Sequence, residues 1–272
     1  MRIGLFSSGY RRYPLEIAFR DAKEFGYDYI ELWGGRPHAY PLDLNRGRFN
    51  DILKLIDYFQ VPVEVYTPEH NDYPFNYMCE DPMIREDSLN YLKTAIQMGK
   101  TIGAKYVLIS AGHGGNYRTE EELRTQVVEC LRELANYGEK CNQHLLLEAL
   151  TPYESNVCNR AEQLSGILKQ VNSPILHGMC DVVPAFVQHQ PIEDYFFHLA
   201  DDLKHFHLID SDGVSDTHLL PGDGRIPLNQ VSKMLKSRGY LGGVTIELVS
   251  AYMNEPSLYA RKAIESVKKL GY

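Results

Sequence analysis

At 272 residues the chain has the length that one (β/α)8 barrel needs and is long for any smaller mixed domain. Its 44% hydrophobic and 24% charged residues match ordinary globular domains and exclude wholesale disorder. A net charge of -8 repels the phosphate backbone that supplies most nucleic-acid affinity, so DNA and RNA are set aside as partners.

The N-terminal run Met1–Phe6 passes into polar residues without an apolar leader core, and no apolar run approaches a membrane span. No membrane association and a cytoplasmic location are expected. The five cysteines (Cys79, Cys130, Cys141, Cys158, Cys180) are odd in number and lack CxxC spacing, which reads as reduced thiols rather than a disulfide framework or zinc knuckle.

Short β-rich runs alternate with helical patterns along the chain, the signature of βα units on a parallel sheet. In chain order the predicted strands are Arg2–Phe6, Tyr29–Trp33, Pro62–Tyr66, Lys105–Ser110, His144–Leu150, Ile175–Asp181, Lys204–Ile209 and Gly243–Leu248. The clearest helix runs from about Pro82 to Ile102, with Ile84, Leu89, Leu92, Ala95 and Ile96 near helical spacing and Gly103 as its stop. Pro14, Pro191 and Pro227 stand where helices should begin, and Gly26, Gly103 and Gly239 where they should end. Eight units with no strand left over suggest a closed barrel, and Ser7-Ser8-Gly9-Tyr10-Arg11 after the first strand is no dinucleotide fingerprint. Without repeats or long linkers, residues 1–272 are expected to form one α/β domain, a single (β/α)8 TIM barrel.

In such a barrel the C-terminal strand ends face the catalytic mouth, so polar residues there need a reason. Four consecutive strands supply one each: Glu148, Asp181, His207 and Glu247. Neighbouring strands lie about 4.8 Å apart, so four successive strand ends can converge on one ion. Each residue taken singly could cap a helix or pair with an arginine; four in succession are a less probable coincidence. Three carboxylates and an imidazole suit one divalent cation, Mn²⁺ first, with Co²⁺, Mg²⁺, Ni²⁺ or Fe²⁺ as alternatives. Alternation sends His205 and His207 to the same face, with His207 nearer the mouth and His205 in the core or behind it. Two glutamates on strands separated by two others can remove a proton from one face of a carbon and return it on the other. A cation that stabilises an enediolate makes the carbon next to a ketone acidic enough for this, which points to epimerisation or isomerisation of a keto sugar.

The strings Glu31-Leu-Trp33-Gly34-Gly35-Arg36-Pro37-His38-Ala39, Leu150-Thr151-Pro152-Tyr153-Glu154-Ser155-Asn156-Val157, His207-Leu-Ile-Asp210-Ser211-Asp212-Gly213, Ser215-Asp216-Thr217-His218 and Tyr252-Met253-Asn254-Glu255-Pro256 carry a family likeness. Over nearly its whole length the chain resembles sugar epimerases of the xylose-isomerase-like barrel superfamily. The resemblance implies that Glu148 and Glu247 are both metal ligands and the catalytic acid/base pair, with Asp181 and His207 completing the site. It also implies that Glu154 binds substrate hydroxyls, by likeness to a glutamate of ketose 3-epimerases. A histidine and an arginine of the free-ketohexose epimerases are replaced here by Pro184 and Gly213. These departures imply a small keto-sugar amine as substrate, with a lysine-linked amine at C1.

Further substrate contacts are expected from Trp33, Tyr66, His70, His113 and His218. The aromatic segment 66–77 reads either as a lid over the mouth or as a packed loop or homo-oligomer contact, with Glu69 or Asp72 placed to receive an ammonium group. His113, in a glycine loop, has a structural reading beside the functional one, and Arg225 reads equally as an ion-pair residue. Two other functions fit the sequence less well. An endonuclease-IV-like nuclease would use His70 and His113 as further zinc ligands, but the acidic charge opposes it; a non-catalytic sugar-binding barrel would leave the two opposed glutamates unexplained.

Overall fold

Residues rich in Val, Ile, Leu and Tyr form the strands: β1 (Arg2–Phe6), β2 (Tyr29–Gly34), β3 (Val63–Pro68), β4 (Tyr106–Ser110), β5 (His144–Glu148), β6 (Leu176–Asp181), β7 (Leu203–Leu208) and β8 (Gly243–Ile246). The computed structural model describes residues 1–272, the side chain of Ser250 excepted. All strands pair in parallel, each with its sequence neighbours, and β8 returns to β1 to close the barrel. No helix is long and apolar enough to cross a membrane among the described residues.

The helices begin and end where local chemistry directs. Asp81 caps the helix Pro82–Thr101 by accepting from the Met83 and Ile84 amides, and Thr119 with Glu122 forms a capping box at the start of Glu120–Cys141. Gly26 ends the first helix with φ +80°, a conformation that glycine adopts without a Cβ penalty. The predicted strands all form, with shifted ends. β5 stops at Glu148 rather than Leu150 and β8 at Ile246 rather than Leu248, because their last ladder partners are Ser110 and, for Ile246, Leu5 and Leu208. Beyond those rungs the backbone turns into loops; the Leu150 amide donates to the Cys158 carbonyl instead.

Alternation sorts the strand residues into two environments. Outward positions such as Leu145, Leu147, Cys180 and Phe206 join the large core between sheet and helices. Inward positions Val65, Tyr106, Leu108, Leu146 and Met179 form a separate apolar cluster inside one side of the barrel. Across from it the interior is polar: Glu31, Thr67, His205, His207 and Thr245 share the same inward parity. Gly4 makes room there, since a Cβ at that position would lie 2.1 Å from the Tyr29 ring. The register sets Ser110 level with Glu148, and Asp181 level with His207, at the C-terminal mouth.

Candidate active site

The site is built in two tiers. In the lower one, fully buried Glu31 accepts from three side chains: His205 Nε2 at 2.9 Å, His207 Nε2 at 2.9 Å and Thr67 Oγ1 at 2.7 Å. Burial alone would raise its pKa, but His207 and His205 overcome that and hold Glu31 well below the ordinary carboxylate range. The carboxylate fixes both the orientation of the His207 ring and the proton on Nε2, so that Nδ1 faces the upper tier.

There, His207 Nδ1 lies 3.2 Å from Glu148 Oε1 and 3.0 Å from Glu247 Oε2, buried and without a hydrogen-bond partner. Ligand atoms of Glu148, Asp181 and His207 lie within 4.8 Å of one another, as do those of Asp181, His218 and Glu247. Burial pushes Glu148 up, and burial raises Asp181 well above its ordinary range, so ionising this set costs free energy unless a cation joins it. Burial opposes a charge on His207 too, yet Glu31, Glu247 and Glu148 raise its pKa well above the ordinary value. Positive charge is therefore favoured between Nδ1 and the carboxylates, and this hard oxygen and imidazole donor set fits a divalent cation.

His218 closes the upper tier, with Nδ1 3.7 Å from Glu247 Oε2 and Nε2 3.5 Å from Asp216 Oδ1. Burial works against its charge, but Glu247, Asp216 and Asp181 push its pKa up to about 10. Burial and, next, Asp216 push Glu154 up to about 7, and its carboxyl accepts from Thr151 Oγ1 at 2.9 Å. These residues share a cavity of about 310 Å³ with Trp33, Arg11 and Pro184.

A family model described as the xylose isomerase-like TIM barrel matches residues 19–270. The chain belongs to that family. It is 47% identical to the fructoselysine 3-epimerase of Shigella flexneri over 270 residues, 99% of this chain and 98% of that protein. The fructoselysine 3-epimerase of Escherichia coli O157:H7 is 46% identical over the same shares. The D-allulose 3-epimerase of Methylomonas sp., solved with D-allulose, superposes with a TM-score of 0.84 at 18% identity over 99% of this chain and 96% of that one, a likeness of fold. Relatives of such identity make this xylose isomerase-like barrel an enzyme, an isomerase of the sugar-epimerase kind.

Within this family barrel, Glu148, Asp181, His207 and Glu247 converge at the mouth, and Trp33, His70, Glu154 and His218 line the same cavity. His70 is a brace: Nδ1 donates to the Pro68 carbonyl at 2.7 Å while Nε2 accepts from the Ser110 amide at 3.1 Å. Tyr66 and His113 stand outside the cavity lining. With Val65 and Thr67 facing inward, Tyr66 points outward into the core and donates to the Ala39 carbonyl at 2.6 Å. His113 Nδ1 accepts from the Gly115 amide at 3.0 Å and shapes its own loop. Segment 66–77 is packed at both ends, with Phe75 stacked on Tyr91 at 3.9 Å and Tyr66 and Tyr77 buried; residues 67–71 reach the cavity wall, and Tyr73 in between is 91% exposed. Glu69 accepts from Trp33 Nε1 and lines the cavity, whereas Asp72 is exposed and lies outside the lining. Gly213, at φ +79°, lies outside the lining, where a Cβ would come within 2.9 Å of Phe186; Pro184 does line the cavity.

Glu31 was not singled out from sequence, although a glutamate inside the apolar run Tyr-Ile-Glu-Leu-Trp is the signal of a buried, partnered charge. Replacing it by Gln removes the charge that fixes the His207 proton. The expected result is about 10- to 100-fold weaker Mn²⁺ binding by calorimetric titration, as for other residues that orient metal ligands. Unchanged affinity would show that Glu31 serves packing alone.

Proposed function

We propose that the protein inverts C3 of a ketose, converting fructoselysine to psicoselysine, with a divalent cation held by Glu148, Asp181, His207 and Glu247 and with Mn²⁺ as the preferred ion. The observation that carries this reading is the pair of buried carboxylates, from β5 and β8, that flank His207 Nδ1 at 3.2 and 3.0 Å. One glutamate takes the C3 proton as the bonding electrons pass into a cis-enediolate; the other returns a proton to C3 from the opposite face. No electron acceptor is needed, because one C–H bond breaks and another forms. The cation, when bound, supplies Lewis-acid stabilisation of the charge on the ketose oxygens. Glu154 offers its carboxyl to the sugar hydroxyls, while Trp33 gives an apolar face for the sugar.

The high identity to fructoselysine 3-epimerases supports the substrate, and Pro184 supports it as an apolar wall where a polar group would favour a free sugar. The cysteines are free thiols, which supports a reducing, cytoplasmic location. The test is kcat/KM under one metal condition for fructoselysine against free fructose, psicose and tagatose. We expect fructoselysine to lead by about 100-fold or more, the worth of one or two ionic contacts to the arm, and part of the difference to fall on kcat. Equal turnover of a free ketohexose would leave a general ketose 3-epimerase in its place.

A further inference from the structure

Beside the catalytic cavity lies a second one of about 440 Å³, and its chemistry runs against the character of the chain. In a protein of net charge -8 it is lined by Arg11, Arg12 and Arg48, with Asp51 as its acidic member. Asp51 already has Lys54 Nζ 3.4 Å away. None of the three arginines has a carboxylate within ion-pair distance among the described residues. Arg12 donates from Nη1 to Asn254 Oδ1, and Arg48 from Nη1 to the Pro37 carbonyl, which leaves other guanidinium hydrogens unused. Arg11 makes no side-chain hydrogen bond at all; its Nε is buried without a partner, and its guanidinium stands 5.4 Å from the Trp33 ring centroid. Arg11 is only partly buried as a whole, but a buried N–H of a charged group without an acceptor costs free energy that a ligand accepting there would offset.

Two observations say what kind. Arg11 lines both cavities, so a group bound by it lies next to the catalytic cavity, whose lining includes Trp33. His38, only 5% exposed, also lines the second cavity. Its Nε2 donates to the Tyr13 carbonyl at 2.8 Å, so Nδ1 is left as a lone-pair acceptor, and that atom too is buried without a partner. Unused guanidinium donors beside an unused imidazole acceptor match a group that is anionic at one end and a hydrogen-bond donor at the other. A fully ionised oxyanion such as sulfate would leave the His38 acceptor unmatched.

We propose that the second cavity is the subsite for the α-amino-acid head of the substrate, with the carboxylate received by Arg11 and supported by Arg12 and Arg48, and the ammonium donating to His38 Nδ1. This rests on the reading of the substrate as a lysine-linked ketose and adds to it where the far end is recognised. Arg11 presents a planar fork suited to a carboxylate, held in place by the indole. The apolar arm then runs past Trp33 to the reacting ketose.

The test compares fructoselysine with its decarboxylated counterpart, the fructosyl derivative of cadaverine, on the metal-loaded wild type and on Arg11→Met, which keeps the stem of the side chain. The wild type should prefer the carboxylate-bearing substrate by about 10- to 100-fold in kcat/KM, the worth of a charge-assisted hydrogen bond pair. Arg11→Met should lose that preference because kcat/KM falls by about 10- to 100-fold more for fructoselysine than for the cadaverine derivative, with an unchanged melting temperature reporting an intact fold. Equal rates on the two substrates in the wild type, or an equal fall on both in the variant, would overturn the subsite while leaving the epimerase reading intact. Turnover of neither amine-linked sugar, with a free ketose accepted, would overturn both.

Discussion

Replacing either Glu148 or Glu247 by Gln lowers kcat for C3 epimerisation by about 10²- to 10⁴-fold, the range that a positioned proton-transfer group supplies. In the proposed scheme each glutamate serves one face of C3, so the two losses should be of similar order. The carboxamide keeps the shape of the side chain, so the barrel stays folded. Glu148→Gln carries a further sign. Burial raises the Glu148 pKa in the folded protein, so the wild-type group favours folding below its unfolded pKa and loses that favour as pH rises through the folded value. The metal-free variant should then melt no lower than metal-free wild type at mildly alkaline pH. Steady-state rates and melting curves check both statements. A large loss confined to one of the two variants would contradict proton transfer from two faces.

Removing the divalent ion has an effect of the same order on turnover and a second one on stability. Chelation should abolish epimerisation and Mn²⁺ or Co²⁺ should restore it, because without an ion the proposed enediolate charge has no counter-charge among buried carboxylates. Without the ion, the protein retains Glu148 and Asp181 in surroundings that raise their pKa values. An ion present at 100 times its Kd adds about 2.7 kcal/mol to folding stability, on the order of 5 to 10 °C in Tm for a chain of this length. Binding requires those carboxyls to lose their protons, so affinity should weaken as pH falls. Calorimetric titration at several pH values and melting scans with and without chelator measure this. Full activity in a demonstrably metal-free sample would remove the ion from the account.

The barrel and the upper tier of the site were legible because they depend on local patterns: apolar runs mark the strands, and a polar residue at the end of each of four consecutive runs marks the mouth. Glu148, Asp181, His207 and Glu247 are brought together by parallel register and by alternation. The lower tier was harder, because Glu31 lies inside an apolar run and its partners come from the next strand, with Thr67 on β3, and from across the barrel, with His205 and His207 on β7. Tyr66 was misplaced because the strand continues to Pro68, which puts Val65 and Thr67 inside the barrel and Tyr66 outside it. His113 has no strand to aim it, and its loop binds its own ring. Arg11 gave no local signal: its unpaired state appears only when the loop after β1 meets residues 37–51 in space.

The central claim is that this chain exchanges the proton at C3 of a lysine-linked ketose. Purified, Mn²⁺-loaded protein incubated with fructoselysine in D₂O and followed by NMR tests it directly. The expected products are psicoselysine with deuterium at C3 and recovered fructoselysine that gains deuterium at the same carbon as equilibrium is approached. Psicoselysine formed with its original C3 hydrogen retained, or deuterium confined to another carbon, would contradict it.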